Sequence, residues 1–174
     1  MSELLIGCGN SRKKNLWLEG ESREWQDMTS LDASPRCNPD VVWNLNVFPY
    51  PFKDNHFDEI HAYEVLEHCG RQGDAAYFFR QFYEFWRILV PNGRLYATVP
   101  MPSSPWAWGD PGHTRVIPKE SLVYLSQAQY RKQVGHTCMT DFRDIYKADF
   151  EPLVINETDG LILAFILQAK KGQQ

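Results

Sequence analysis

A short apolar run that enters a glycine turn near the start of the chain constrains the fold most. Glu3-Leu4-Leu5-Ile6 leads directly into Gly7-Cys8-Gly9-Asn10. A strand that ends in glycines lets a nucleoside-bearing ligand lie against the backbone at the carboxyl edge of a parallel sheet. Short glycine motifs also occur as tight strand-to-helix turns without any ligand. The pattern therefore predicts a first strand whose turn is either a ligand site or a simple connection.

Short apolar runs alternate with helical stretches along the rest of the chain, as in a parallel sheet wrapped by helices. Apolar side chains recur at helical spacing over 74–89, which predicts a helix, and a shorter helix is expected over 119–127. Asp159-Gly160 predicts a hairpin, and Gly93 is expected to take the left-handed conformation in the turn 91–93. Strands are predicted near 3–6, 29–32, 40–44, 57–62, 94–99, 142–155 and 161–169.

These elements predict an α/β fold with a mostly parallel central sheet, flanking helices and a C-terminal antiparallel hairpin. We expect a single domain over 1–174. The stretch 100–119 is predicted to be irregular, and long irregular segments are more often functional than ornamental. Its regular structure is disfavoured by Pro102, Pro105, Gly109, Pro111 and Gly112.

Composition narrows the class of partner. The net charge of −4 disfavours nucleic acid, because sequence-independent binding to its backbone needs a basic face. No apolar stretch matches a membrane span or a signal-peptide core, so we expect no membrane partner and a cytoplasmic location. No metal site is expected. A structural zinc site needs four converging ligands, and the sequence offers only two short His-Cys pairs, His68-Cys69 and His136-x-Cys138. Neither a disulfide framework nor a zinc ribbon is formed by the spacing of Cys8, Cys37, Cys69 and Cys138.

Three blocks in order resemble the class I, Rossmann-like methyltransferases that depend on S-adenosylmethionine, in particular the broad small-molecule (type 11-like) family. The first block is the glycine turn in 4–10. The second is 51–60 followed by Glu64-Val65-Leu66-Glu67-His68, similar to the family's Pro-Phe, Phe-Asp and Leu-Glu-His pattern. The third is 87–95, where Leu89-Val90-Pro91-Asn92-Gly93 resembles Leu-x-Pro-Gly-Gly. The resemblance covers residues 4 to 100 and implies the class I methyltransferase fold, methyl transfer and S-adenosyl-L-methionine as cofactor.

The resemblance also implies which residues bind the cofactor. Asp32 stands where the family's acidic residue accepts hydrogen bonds from the ribose, although a turn or helix-cap role is the alternative. Asn44 replaces the usual acidic residue near the adenine, and its amide oxygen still accepts a hydrogen bond. Leu5 and Ser11 depart from the family's acidic residue and third glycine. The implied cofactor set is Gly7, Cys8, Gly9, Asn10, Asp32, Asn44, Leu45, Tyr63 and Glu64.

The methyl acceptor is expected to bind in the stretch 100–119, as an acceptor-site or lid loop at the carboxyl edge of the sheet. A hydroxyl acceptor benefits from a base, for which a histidine with a pKa near neutral is suited. The candidate catalytic residues are His113, Asp110 as its orienting partner, and His68, which is alternatively a structural histidine. The candidate substrate contacts are Trp106, Trp108 and Arg115.

The sequence leaves the acceptor and the activity open. The (Asp/Asn)-Pro-Pro-Tyr signature of base and glutamine methylation is absent after the fourth strand, which favours a small-molecule or glycan hydroxyl. One rival function is an inactive cofactor-binding or scaffolding module, and another is a nicotinamide-dependent oxidoreductase. The incomplete Gly-x-Gly-x-x-Gly and Lys13-Lys14, in the stretch expected to open a helix, disfavour the oxidoreductase. We expect the acceptor site to be covered either by residues 100–119 or by a second subunit of a homodimer.

Overall fold

A seven-stranded sheet runs through the molecule, which the computed structural model describes over residues 1–172. The strand order is β3-β2-β1-β4-β5-β7-β6, with β1 to β5 parallel and β7 antiparallel to both of its neighbours. This confirms the predicted mostly parallel sheet with its C-terminal antiparallel hairpin. The strands are β1 (Ser2–Ile6), β2 (Asp27–Asp32), β3 (Val41–Val42), β4 (Phe57–Tyr63), β5 (Leu89–Pro100), β6 (Phe150–Thr158) and β7 (Ile162–Ala169).

The long helix forms where its apolar spacing predicts it. The carboxylate of Asp74 accepts the backbone N–H of Tyr77 at 2.9 Å, which caps the first turn. The helix packs Phe79, Phe82 and Phe85 into the core formed with one face of the sheet. The described α-helices are α1 (Ala75–Ile88), α2 (Pro105–Gly109) and α3 (Gln127–Gln133), with 3₁₀ turns at Pro35–Cys37, Leu66–His68 and Lys119–Leu125. Among residues 1–172, no helix combines the length and the apolar character needed to cross a membrane.

Several predicted boundaries were wrong. β6 begins at Phe150 rather than near Phe142, because Phe142 and Tyr146 pack against Phe79 of α1 instead of joining the sheet. The region 119–127 is a 3₁₀ turn that ends at Leu125, followed by α3. The helix α2 interrupts the stretch that was predicted to be irregular. β3 contains only two residues.

Two turns contain left-handed residues. Asp159 and Gly160 have φ of 50° and 68°, which confirms the predicted hairpin. In the turn 91–93 the left-handed residue is Asn92, with φ of 63°, and not Gly93 as predicted. A Cβ on Gly93 would lie 3.0 Å from the carbonyl oxygen of Val90. Close backbone packing therefore explains the glycine.

The other face of the sheet is covered by a segment without regular structure. The strap, defined as residues 11–26, forms neither helix nor strand, so the helix expected after the glycine turn is absent from it. Lys14 reaches the sheet, with its Nζ 2.6 Å from Glu3 and 2.9 Å from Glu59. All three side chains are at most 1 % exposed. The strap therefore covers charged side chains that a packed apolar helix would leave without partners.

Candidate functional site

The glycine turn follows β1 in a left-handed conformation. Gly7 and Gly9 have φ of 61° and 49°, a region that side chains with a Cβ rarely adopt. A Cβ on Gly7 would lie 2.2 Å from Cγ2 of Val65, so no side chain fits there. The Cys8 N–H donates to the Leu31 carbonyl at 3.2 Å, which ties the turn to the end of β2.

The carboxylate of Asp32 points at this turn and also makes the local turn contact that was the alternative to the ribose role. Its Oδ2 accepts the Gly9 N–H at 2.9 Å, and its Oδ1 accepts the Ser34 N–H at 2.8 Å. A carboxylate has about four lone-pair sites, so each oxygen can accept a further hydrogen bond. Asp32 therefore fixes the turn and still offers acceptor capacity toward a ligand.

A cleft of about 340 Å³ opens between the carboxyl ends of β1, β2 and β4. Its volume falls within the range of roughly 300–1,000 Å³ of small-molecule sites. An apolar wall and a few polar groups give it the character of a ligand site for an amphipathic molecule. It is lined by Gly7, Leu31, Asp32, Ala33, Trp43, Asn44, Leu45, Asn46, Glu64, Val65, His68 and Cys69.

Five of the nine residues predicted for the cofactor line this cleft, namely Gly7, Asp32, Asn44, Leu45 and Glu64. Cys8, Gly9 and Asn10 belong to the adjoining turn but lie outside the lining. The amide oxygen of Asn44, expected to face an adenine, accepts the backbone N–H of Asn46 at 2.9 Å. The same oxygen also accepts the side-chain N–H of Asn46 at 3.2 Å, so both of its lone pairs are used within the chain, and an adenine amino group would have to replace one of these two contacts.

Tyr63 lies away from the cleft, which corrects the prediction that it walls the cofactor site. Its hydroxyl accepts the N–H groups of Asn15 and Leu16 in the strap, at 3.2 and 3.1 Å. The hydroxyl proton then points to Nδ1 of His61 at 2.6 Å. Burial raises the pKa of Tyr63 to about 12. The side chain therefore holds the strap and does not contact the cleft.

Glu64 turns the chain into the cleft at the end of β4. Its φ is 49°, an uncommon conformation for a residue with a side chain. The Glu64 N–H donates to the Thr98 carbonyl at 3.0 Å, which holds this backbone in place. Such backbone conformations are found more often at functional sites than elsewhere.

A group of four polar side chains lies next to the cleft, and we call it the His113 cluster: Glu67, His68, Asp110 and His113. Nε2 of His113 is 3.9 Å from Glu67 Oε1 and 3.8 Å from Asp110 Oδ2. The rings of His68 and His113 meet edge to face with centroids 4.6 Å apart. Because His68 also lines the cleft, the cluster adjoins the cofactor end of the site. The three candidate catalytic residues are thus brought together.

Glu67 is the member of the cluster that sequence reasoning missed. Its side chain is 2 % exposed, and neither oxygen has a hydrogen-bond partner among residues 1–172. Burial raises the pKa of Glu67 to about 8, and the nearby charge of Glu64 adds to the shift. The signal that could have identified it is its position in the Leu66-Glu67-His68 block. That block was interpreted as a family signature, and only His68 was taken from it as a candidate catalytic residue.

Hydrogen bonds from Thr114 and Arg115 explain why the loop after β5 meets the 3₁₀ turn 66–68. The N–H of Thr114 donates to the Glu67 carbonyl at 2.9 Å. Nε of Arg115 donates to the Leu66 carbonyl at 2.9 Å, and its guanidinium also bonds Gln81 of α1. Arg115 was predicted to contact substrate, but these bonds make it a buried bracket between the loop and α1.

Trp106 and Trp108, the other predicted substrate contacts, lie outside the lining of the cleft. Each is 69 % exposed on the short helix α2. Nε1 of Trp108 donates to the Pro102 carbonyl at 3.0 Å, which fixes one indole on the surface of the loop. The structure therefore does not bring the two indoles to the cofactor end of the site.

Solved structures with the same fold include methyltransferases and a cyclase. An S-adenosylmethionine-dependent methyltransferase from Archaeoglobus fulgidus is 14% identical with a TM-score of 0.56, covering 96% of this chain and 85% of that one. The N-methyltransferase NodS from Bradyrhizobium japonicum WM9, in complex with S-adenosylhomocysteine, is 14% identical with a TM-score of 0.53, covering 98% and 78%. The [4+2]-cyclase SpnF is 14% identical with a TM-score of 0.56, covering 98% and 75%.

No curated protein sequence matches the chain. The family model described as Methyltransferase domain matches residues 4–97, which is more than half of the chain. The matched region contains the glycine turn, Asp32, the end of β4 and the 3₁₀ turn that carries Glu67 and His68. The chain therefore belongs to the methyltransferase domain family, the class I methyltransferases that depend on S-adenosylmethionine.

Proposed function

We propose that this protein transfers the methyl group of S-adenosylmethionine to a hydroxyl group of a small molecule or glycan. The observation that carries the proposal is the joint position of Asp32 and the His113 cluster at one cleft. The cofactor supplies a methyl group on a sulfonium centre, whose thioether leaves without help from an acid. The protein's task is then to align the two reactants and to accept the acceptor's proton.

The cofactor end of the site consists of the glycine turn, Asp32 and the apolar wall beyond it. Asp32 accepts hydrogen bonds from the two ribose hydroxyls, while the lack of a side chain at Gly7 lets the cofactor lie close to the backbone. Leu45 and Asn44 lie beside the adenine, and Glu64 is close to the methionine part. The support for these roles is that all five residues line one cleft and that Asp32 retains free lone pairs.

The acceptor end consists of the His113 cluster and the stretch 100–119. The cluster adjoins the cleft through His68 and offers imidazole and carboxylate groups to a hydroxyl. Trp106 and Trp108 form the outer part of a lid that moves toward an acceptor, for which their exposure on a short helix leaves room. Arg115 holds the base of this lid and does not contact the acceptor.

The cofactor assignment is tested by titrating the protein with S-adenosylhomocysteine in a calorimeter. Asp32→Asn keeps the size of the side chain but removes the charge that strengthens hydrogen bonds from hydroxyls, each worth about 1.5–3 kcal/mol. We expect a loss of affinity of roughly 10- to 100-fold. Asp27→Asn, at the exposed opposite end of β2, is the matched control and should bind like the wild type. Equal affinities of both variants would exclude the ribose role.

A second candidate function is a module that binds the cofactor without turnover. The observation in its favour is that both indoles of α2 are exposed and neither lines the cleft, so they do not cover it. One solved protein with this fold is named a [4+2]-cyclase, so the fold alone does not specify methyl transfer. Incubation with methyl-labelled S-adenosylmethionine and fractionated cell extract separates the two candidates. Label that enters an acceptor supports the methyltransferase, and binding without transfer supports the module.

A further inference from the structure

The His113 cluster has a gap between its polar atoms. Nε2 of His113 is nearly equidistant from a carboxylate oxygen of Glu67 and one of Asp110, at 3.9 and 3.8 Å. Both distances exceed the 2.7–3.2 Å of an N–H···O hydrogen bond. The ligand atoms of Glu67, His68 and His113 all lie within 4.8 Å of one another. Ligand atoms bound to one small cation, each about 2 Å from it, lie about 3–4 Å apart, so binding of an ion would draw these three side chains slightly closer together.

Buried polar atoms in the cluster lack protein partners. Both oxygens of Glu67 are buried without a hydrogen bond among residues 1–172. Nδ1 of His113 is also unpaired, but it lies on the other side of the ring from Nε2, so only the Glu67 oxygens bear on an ion between these side chains. Buried polar atoms nearly always have partners, and an exception points to a missing water or ion. The Glu67 side chain is only 2 % exposed, so bulk water does not satisfy it. This is a second observation, independent of the spacing, that the cluster is built around something else.

His68 is held in the tautomer that a metal ion needs. Its Nδ1 lies 3.1 Å from the carbonyl oxygen of Gly112, and a carbonyl only accepts, so Nδ1 carries the proton. The lone pair is therefore on Nε2. A ligating histidine usually donates its other N–H to such a carbonyl. A Cβ on Gly112 would lie 3.3 Å from this Nδ1 and 3.1 Å from Asp110 Oδ1, so a glycine suits this contact.

We propose that the His113 cluster binds a divalent transition-metal ion of the zinc type, with Glu67, His68 and His113 as ligands. Two imidazoles and one carboxylate are a donor set that zinc accepts while it keeps an open coordination position. Asp110, which is 45 % exposed on its side-chain atoms, lies at the mouth and stabilises the bound ion or a water on it. Binding of the ion does not depend on the proposed function.

The role of the ion rests on the proposed methyl transfer. Since His68 also lines the cleft, an ion bound to it would lie next to the cofactor end of the site. A hydroxyl acceptor bound there is activated by the cation, because coordination lowers the pKa of a bound oxygen. In that arrangement His113 acts as a ligand and the acceptor's proton passes to solvent. The acceptor class is then a molecule that presents an oxygen ligand, such as a sugar with neighbouring hydroxyls.

The test is calorimetric titration of the chelator-treated full chain with zinc chloride, followed by absorption spectroscopy of the cobalt(II) form. We expect one equivalent to bind, and affinity to fall at least tenfold in Glu67→Gln and in His113→Gln. His136→Gln is the matched control, since His136 is exposed in the turn after α3. Cobalt should show visible d–d bands without thiolate charge transfer, which excludes binding to the free Cys37 or Cys138.

Absence of saturable binding, or equal affinity in Glu67→Gln, His113→Gln and wild type, overturns the proposal. Thiolate charge transfer in the cobalt form overturns it too. If Glu67→Gln does not fold, His68→Gln serves instead, because His68 is exposed and its loss leaves the core intact. Titration of the same samples with S-adenosylhomocysteine separates the two proposals. If the wild type binds S-adenosylhomocysteine but not zinc, only the metal site is rejected. If it binds zinc but not S-adenosylhomocysteine, only the cofactor assignment is rejected.

Discussion

Gly7 and Gly9 have the same backbone conformation but different surroundings. Both are left-handed, yet a Cβ on Gly7 would meet Val65 at 2.2 Å, while a Cβ on Gly9 has no atom within 4 Å. Gly9→Ala should cost only the conformational penalty of about 1–2 kcal/mol. Gly7→Ala should cost about 1–3 kcal/mol more, because the added carbon overpacks the site. Urea unfolding of both variants measures the difference, and equal stabilities would contradict the contact with Val65.

Single residues were predictable where local chemistry fixed them. Asp32 and Gly7 lie at the cleft as expected, since a strand end and its turn dictate both positions. Tyr63 was wrong for a reason that the sequence contained: side chains alternate along a strand, so it shares the face of Glu59 and His61. The full membership of the His113 cluster could not be predicted from the sequence. Glu67 approaches His113 only because hydrogen bonds from Thr114 and Arg115 set the path of the loop between them.

At the scale of elements, the strap depends on one buried cation. Lys14 pairs with Glu3 and Glu59 on the sheet, and removing one member of a buried ion pair costs about 3–5 kcal/mol. For a chain of this size, Lys14→Met should lower the melting temperature by roughly 6–20 °C. Lys13→Met is the control, because Lys13 is exposed and such changes stay within about 0.5 kcal/mol. The melting temperatures are measured by calorimetry. Coinciding melting curves of the two variants would rule out Lys14 as the residue that holds the strap on the sheet.

The same ion pair makes stability depend on pH. Burial acts to raise the pKa of Glu59, but hydrogen bonds from His61 and Lys14 outweigh it and lower the pKa from 4.5 to about 2. Between these values the unfolded chain binds more protons than the folded one, so stability is complete above pH 4.5 and lost as the pH falls toward 2.

Glu59→Gln should therefore show a flatter dependence of the urea midpoint on pH between 4.5 and 2 than the wild type. Glu19→Gln changes an exposed carboxylate and should keep the wild-type slope. The slope is the diagnostic quantity, because a general loss of stability shifts the whole curve without changing its shape. A wild-type slope in Glu59→Gln would mean that another group causes the acid sensitivity.

At the scale of the whole molecule, the sheet is as predicted but its covering is not. Apolar periodicity predicted α1 and the strands on its side, because burial against a helix leaves a repeating pattern. The opposite face is covered by the strap through charged contacts between distant parts of the chain. Charged residues in a strand pattern indicate a solvent-exposed face, so the pattern gives no sign that Glu3 and Glu59 are buried with Lys14.

The stability of the whole chain should report which nucleoside it binds. A ligand that binds only the folded state at 100 times its Kd adds about 2.7 kcal/mol. For a chain of this size that corresponds to a rise in melting temperature of roughly 5–11 °C. We expect this shift with S-adenosylhomocysteine and none with NAD at the same concentration. The turn lacks the third glycine that lets a helix pack closely on the strand, and the strap that follows it offers no helix N-terminus to a dinucleotide's pyrophosphate. Both ligands contain adenosine, so the comparison tests the rest of each molecule. A rise in melting temperature with NAD alone would assign the cleft to an oxidoreductase.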